Sequence, residues 1–291
     1  MYIPAYVFKE LIMKRIITAV LALMMMFSFS AFADVRSDLE SAMTKFFKEK
    51  NMTNLSIKIN IIKKLDDPAG LYFAKMTLTD SQAGRSQEQY LFTDGKYIYP
   101  EIVRADTQQN IKDKLIYEVT PVTKLDLSRL TFMEGNKNSK NVIVKVSDFQ
   151  CPYCRKAYNA VHEILKHEKV DAAVYMMHLP LSFHPKAMLY AKVFEAGLAM
   201  GKNFGAELYS TTAETDKKTD AEIIGMFAVK SGNASKFKSL VSSKSIQDKI
   251  DAQAKLAGSL GITGTPQIFF NGKAVSGYNP EMYIMAIHGM K

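Results

Sequence analysis

Two cysteines stand in a chain of 291 residues, and both fall in the stretch "SDFQCPYCRKAY" at residues 147–158. Cys151 and Cys154 are separated by Pro152 and Tyr153. Three chemistries use a pair of thiols at this spacing. A structural disulfide gains most by closing a long loop, and a loop of two residues constrains the unfolded chain little. A structural zinc site needs four ligands, and the pair supplies two. His162, His167, His178 and His184 complete no familiar ligand spacing and read as helix-surface or loop histidines. Thiol–disulfide exchange needs one acidic thiol and a second within reach of it.

The local pattern suits exchange. A β-branched run, "NVIVKVSDF", precedes Cys151 and reads as a buried strand. "CPYCRKAYNAVHEILKHE" follows as a helix with Tyr158, Val161, Ile164 and Leu165 on one side. Pro152 fits the first helical position, where a missing N–H costs nothing. The helix N-terminus then presents unpaired N–H groups and positive charge to Cys151, favouring its thiolate. Cys154, three residues on, shares that helical face. It can attack the Cys151 sulfur and release a mixed disulfide. Cys151 is expected exposed and acidic, Cys154 shielded. Arg155 and Lys156 either add positive charge there or are plain solvated helix surface.

The compartment decides whether such chemistry persists. Lys14 and Arg15, an apolar run over 16–29 and Ala31-Phe32-Ala33 before Asp34 are the three parts of a secretory signal in order. The run is too short for a comfortable membrane span. Met13 opens this signal better than Met1 does. Export to the periplasm with cleavage after Ala33 is expected, leaving 258 residues, enough for two domains. Those residues carry 35 Lys and Arg against 28 Asp and Glu, a net charge of +7. The excess is dispersed, so it lacks the clustered footprint of a nucleic-acid binder.

Two patterns divide the exported part. Residues 34–120 predict a small α+β domain. A helix with Leu39, Met43, Phe46 and Phe47 precedes the alternating strand "LSIKINIIKKL", a second strand "LYFAKMTLTD" and a hairpin around Asp94-Gly95. "KLIYEVTPVTKLDL" reads as one more strand and a link. Tyr90, Phe92, Tyr97 and Tyr99 sit at strand spacing and are assigned to sheet packing. Residues 121–134 are expected as a linker. From 135 to 291 the order is strand, Cys-x-x-Cys helix, strand, a helical stretch over about 181–260, then "GITGTPQIFFNGKAV" with two short strands and a last helix after Pro280. Strand, helix, strand implies a parallel pair with a crossover helix.

Over residues 135–291 the chain resembles the DsbA-like branch of the thioredoxin superfamily. Asp148-Phe149-Gln150-Cys151-Pro152-Tyr153-Cys154, "FHPKAMLYAKVFEAG" and "GITGTPQIFFNGKAV" carry the resemblance. It implies an α/β thioredoxin fold with a helical insertion. It implies Cys151 as nucleophile and Cys154 as resolving thiol, with no cofactor. It also implies a cis Thr265–Pro266 peptide beside the cysteines, where the Thr265 backbone pairs with an extended substrate segment. The family commonly places an acid six residues before the first cysteine. Lys145 stands there instead, and Asp148 is the nearest acid, either a proton relay or the cap of a local turn. Pro152, Tyr153, Asp148 and Lys145 are the expected supporting residues. The N-terminal part faintly resembles the dimerisation domain of DsbC and DsbG isomerases through "YLFTDGKYIYPEIV". The expectation is an exported thiol–disulfide oxidoreductase acting on protein substrates, with a membrane redox partner and a possible homodimer through residues 34–120. The alternative is a periplasmic chaperone or a copper-handling thiol protein, since soft thiolates suit Cu(I).

Overall fold

Alternating apolar residues build the first sheet. A computed structural model describes residues 35–290. The expected signal, its cleavage site and Asp34 lie outside those residues. The described residues divide into two units, with the boundary between 116 and 117.

In the first unit, helix α1 runs over 35–49. Strands β1 (Leu55–Lys64), β2 (Tyr72–Asp80), β3 (Arg85–Thr93) and β4 (Ile98–Tyr99) follow. They pair as an antiparallel meander in sequence order. Leu39 of α1 packs on Ile59, Ala74 and Leu91, with Met43, Ile57 and Ile61 beside them. That cluster is the apolar face that period-two alternation implies. Asp94 closes the β3–β4 loop by accepting the backbone N–H groups of Lys96 and Tyr97 at 2.9 and 2.8 Å. Phe92 is fully buried, whereas Tyr97 is 64% exposed and Ile98 and Tyr99 are also exposed. Sheet packing therefore accounts for Phe92 and leaves Tyr97 and Tyr99 outward. The segment read as a further strand is helix α2 (Ile111–Val119), which runs across the boundary between the two units. Ile111, Leu115 and Val119 recur every four residues and Asp113 lies in the first turn, a pattern that suits a helix.

In the second unit, β5 (Thr131–Gly135), β6 (Val142–Ser147), β7 (Ala173–His178), β8 (Gln267–Phe270) and β9 (Lys273–Ser276) form a five-stranded sheet in the order β5-β7-β6-β8-β9. β6 and β7 are parallel, and the remaining pairs are antiparallel. Residues 121–134, expected as a linker, contain a 3-10 turn (Leu127–Arg129) and most of β5. Thr131 and Met133 of β5 are buried. The polar run after them, "NKNSKN", is a turn inside the unit. Gly135 holds φ +88°, and a Cβ there would collide with the Ala172 carbonyl oxygen. A side chain is thus excluded where β5 ends.

Helices α3 (Pro152–Glu168) and α10 (Pro280–His288) share a core with one set of sheet residues: Ile143, Ala157, Val161, Ile268, Phe270, Tyr283 and Ile287 cluster together. Val144, Val146, Tyr175 and Met177 belong to a second cluster with Ala257 and Ile262. Between β7 and β8 lie α4 (Ala187–Ala199), α5 (Gly205–Tyr209), α6 (Ala213–Asp216), α7 (Asp220–Ala228), α8 (Ala234–Val241) and α9 (Lys244–Ser259). Their boundaries are written locally. Thr219 and Glu222 form a capping box at α7, and Asn233 and Ser243 cap α8 and α9. Phe194, Leu208, Phe227, Phe237 and Ile250 pack these helices into one cluster that reaches Phe149 and both cysteines.

Candidate active site

The site sits where β6 ends and α3 begins. Cys151 is the N-cap of α3 with extended backbone and no side-chain capping bond, and Pro152 opens the helix. The unpaired N–H groups of the first turn are therefore free to face the sulfur. Both thiols are free. Cys151 is 4% exposed and Cys154 1%. The expected contrast in exposure is thus small, and the contrast between the thiols is electrostatic. The Cys154 thiol beside it, the backbone N–H groups of Cys154 and Tyr153 and the Thr265 hydroxyl all favour the Cys151 thiolate. They outweigh its burial and bring its pKa down to about 5. Burial raises the Cys154 thiol far above the free value, and the adjoining Cys151 raises it further. At neutral pH this describes a thiolate at 151 and a thiol at 154.

The Thr265–Pro266 peptide is cis, and the Cys151 Sγ lies 3.7 Å from the Thr265 carbonyl oxygen. The Thr265 Oγ1 is buried without a regular hydrogen bond. It faces the two sulfurs loosely, and it is among the groups that favour both thiolates. Tyr153 is 57% exposed, with Lys156 Nζ 5.7 Å from its ring centroid. An exposed aromatic face with a cation over it therefore lies on the first turn of α3.

Asp148 is buried and locks the turn before the helix. Its carboxylate accepts the N–H of Gln150 at 2.8 Å and of Leu181 at 3.1 Å, and it lies 2.7 Å from His184 Nδ1. These bonds tie the cysteine turn to the 181–184 segment, the geometry of a turn cap.

Lys145 is buried, and its Nζ lies 3.4 Å from Glu134 Oε1 of β5. Burial pulls its pKa down, while Glu134 and then Cys154 support its charge. Glu134 Oε2 accepts from Tyr158 Oη at 3.2 Å. Tyr209 Oη donates to Ser147 Oγ at 2.7 Å, and Ser147 in turn favours the Cys154 thiolate. Of the two thiols, Cys154 is the one whose charge bears on Lys145.

Sequence reasoning missed Glu134, Ser147, Tyr158 and Tyr209 as neighbours of the site. Ser147 was open to discovery, since it follows Lys145 by two residues and so points to the same face of β6. Tyr209 comes from the insertion, 62 residues away in sequence from Ser147, and carries no local signal. Arg155 is neither solvated surface nor a free charge. It donates to the Phe149 carbonyl and to Thr211 and Asp216. Among the described residues no group of three or more His, Cys, Asp or Glu is placed to hold a metal ion.

A parallel strand–helix–strand core, antiparallel strands beside it and a Cys-x-x-Cys pair at the helix start facing a cis-proline define a thioredoxin-fold protein. Residues 128–288 match the family described as thioredoxin, more than half of the chain, and the chain belongs to that family. Among curated relatives, the Na(+)/H(+) antiporter NhaA 1 of Mycolicibacterium vanbaalenii is 29% identical over 148 residues, 48% of this chain and 23% of that protein. The Na(+)/H(+) antiporter NhaA 3 of Salinispora tropica is 27% identical over 158 residues, 53% of this chain and 24% of that protein. The chain spans about a quarter of the length of these relatives. Solved structures similar to it include a thioredoxin-like oxidoreductase from Silicibacter pomeroyi (TM-score 0.48, 19% identity, 55% of this chain and 91% of that one). Another is the thiol-disulfide exchange protein alpha-DsbA2 from Wolbachia pipientis (TM-score 0.48, 16% identity, 63% of this chain and all of that one).

Proposed function

We propose that this chain is an exported, DsbA-like thiol–disulfide oxidoreductase that exchanges disulfides with protein substrates through Cys151 and Cys154. The observation that carries the reading is the placement of the thiols, with Cys151 at the N-cap of α3, its Sγ 3.7 Å from the carbonyl oxygen of the cis Thr265–Pro266 peptide, and Cys154 buried one turn on. In the oxidising direction a substrate thiolate attacks Cys151 Sγ of the Cys151–Cys154 disulfide. The Cys154 sulfur leaves with the electron pair and takes up a proton in its buried site. A second substrate thiolate then attacks the mixed disulfide at the substrate sulfur and expels the Cys151 thiolate. The substrate loses two electrons and the pair gains them. The reverse sequence reduces a substrate disulfide, and the reduction potential decides which direction prevails.

An extended substrate segment pairs with the Thr265 backbone at the cis-proline, with its cysteine beside Cys151. A membrane redox partner resets the pair. The leader is cleaved after Ala33, and N-terminal sequencing of protein recovered from cells is expected to begin at Asp34. Residues 34–120 act as a dimerisation unit, which light scattering of the full exported chain checks. A monomer would remove the architectural case for isomerase work. Function is tested by trapping. Cys154→Ser should accumulate mixed disulfides with client proteins and Cys151→Ser none. Equal alkylation rates at the two thiols would sink the reading.

A further inference from the structure

Arg155 lies one helical turn beyond Cys151, so its side chain starts from the same face of α3. A free guanidinium there would add its charge to the helix N-terminus and stabilise the Cys151 thiolate. The structure ties it elsewhere. Arg155 Nε donates to the Phe149 carbonyl at 2.9 Å, and one terminal nitrogen donates to Thr211 Oγ1 at 2.7 Å. The two terminal nitrogens also meet Asp216, at 3.0 and 3.3 Å. The Arg155 and Asp216 side chains are 16% and 17% exposed, so solvent screens the pair only partly. Tyr190 Oη donates to the same carboxylate at 2.6 Å, and burial followed by Asp216 raises that phenol, which stays neutral.

We propose that Asp216, a residue of the helical insertion, sets the acidity of Cys151 by neutralising Arg155. The inference rests on the thiol-exchange reading and deepens it, since the insertion then tunes the reactive thiol through a single ion pair. Several charged groups on the neighbouring elements have partners of their own: Lys217, next to Asp216, is paired with Glu214 at 2.8 Å. Lys186 is paired with Asp220 at 2.5 Å, Glu222 is held in the Thr219 capping box, and Lys156 lies over Tyr153. The groups that act directly on Cys151 are Cys154, the first-turn N–H groups and Thr265. Arg155 and Asp216 act on the thiol as positioning residues, by charge and from one turn away.

The test reads the sign of two opposite perturbations. Asp216→Asn keeps the shape and removes the negative charge, while Phe149 and Thr211 continue to hold the guanidinium. The ionisation constant of Cys151, read from thiolate absorbance in the reduced protein, should increase about three- to tenfold. At neutral pH the equilibrium with glutathione should shift toward the reduced protein by a similar factor, making the disulfide more oxidising. Arg155→Met exposes the site to the uncompensated carboxylate and should lower the ionisation constant by a comparable factor. The double variant should return to within about twofold of wild type. Arg155→Lys, which keeps the charge and loses the fork, should also stay within about twofold, and it carries the test with Asp216→Asn if Arg155→Met fails to fold. A purely structural role would move the single variants in the same direction. An unchanged or decreased ionisation constant in Asp216→Asn overturns the proposal. The titration needs no exchange activity, so failure of the wild type to exchange with glutathione would overturn the functional reading separately.

Discussion

Lys145 Nζ stands 4.3 Å from the ring centroid of Tyr158, which lies one turn beyond Cys154 on α3. The ring of Tyr209 lies 5.5 Å from the same nitrogen, and the two rings stack at 4.4 Å. The Lys145 nitrogen is thus held between π faces and the Glu134 carboxylate.

That position yields a directional expectation. Lys145→Met should leave the Cys151 titration close to wild type and push the Cys154 thiol still higher. It should also destabilise the fold by about 2–4 kcal/mol, because a largely buried carboxylate loses its partner. Denaturant unfolding measures the loss. Thiolate absorbance in a Cys151→Ala background measures the second thiol.

The thiol pair gives stability a pH dependence specific to the redox state. The Cys151 pKa is lowered from a free value of about 8.5 to about 5. Its contribution to the reduced fold is therefore complete above the unfolded value and disappears as pH falls through about 5. Burial raises Cys154, so its opposing contribution is present below the free-thiol value and is lost only at higher pH. The oxidised form has neither thiol. Unfolding of both forms across this window should show the reduced form losing stability relative to the oxidised form on acidification. Parallel curves would contradict the assignment.

A second acid-sensitive element lies outside the thiol pair. Burial alone would raise the Glu195 carboxyl, but His178 and Lys249 outweigh it and hold it at about 2. His178 Nε2 lies 2.9 Å from Glu195 Oε1, and Lys249 Nζ lies 2.6 Å from Oε2. A lowered carboxyl contributes stability above its unfolded value of about 4.3, and that share is lost as pH falls through about 2. Glu195→Gln should cost about 2–4 kcal/mol at neutral pH and flatten the acid limb of the stability curve. Retention of the wild-type acid limb would exclude Glu195 as its source.

Asp148 supplies a local expectation. Asp148→Ala leaves the Gln150 and Leu181 N–H groups without their acceptor and should cost about 1–3 kcal/mol. Amide exchange should accelerate at residues 150 and 181 while the protection of β6 and β7 is largely kept. Uniform loss of protection would mean that Asp148 supports the whole unit.

What the sequence determined by itself was the local frame of the cysteine pair. Cys151 and Cys154 at helical spacing after a β-branched strand and Pro152 at the first helical position are short-range patterns, whereas the cis Thr265–Pro266 peptide was expected only from the family resemblance. Backbone sterics and the helix terminus act on neighbouring residues, so such patterns can be read in one dimension. The alternating strands of the first unit were legible for the same reason. Helix α2 was not, because its β-branched and aromatic residues also satisfy a strand pattern over so short a span. Strand β5 was hidden behind a polar turn. Tertiary structure alone decided which charges face which thiol. Glu134 reaches Lys145 from a strand separated from β6 by β7, and Asp216 meets Arg155 from 61 residues away. Electrostatic partnership depends on distance through space and on burial, and neither quantity is carried by spacing along the chain.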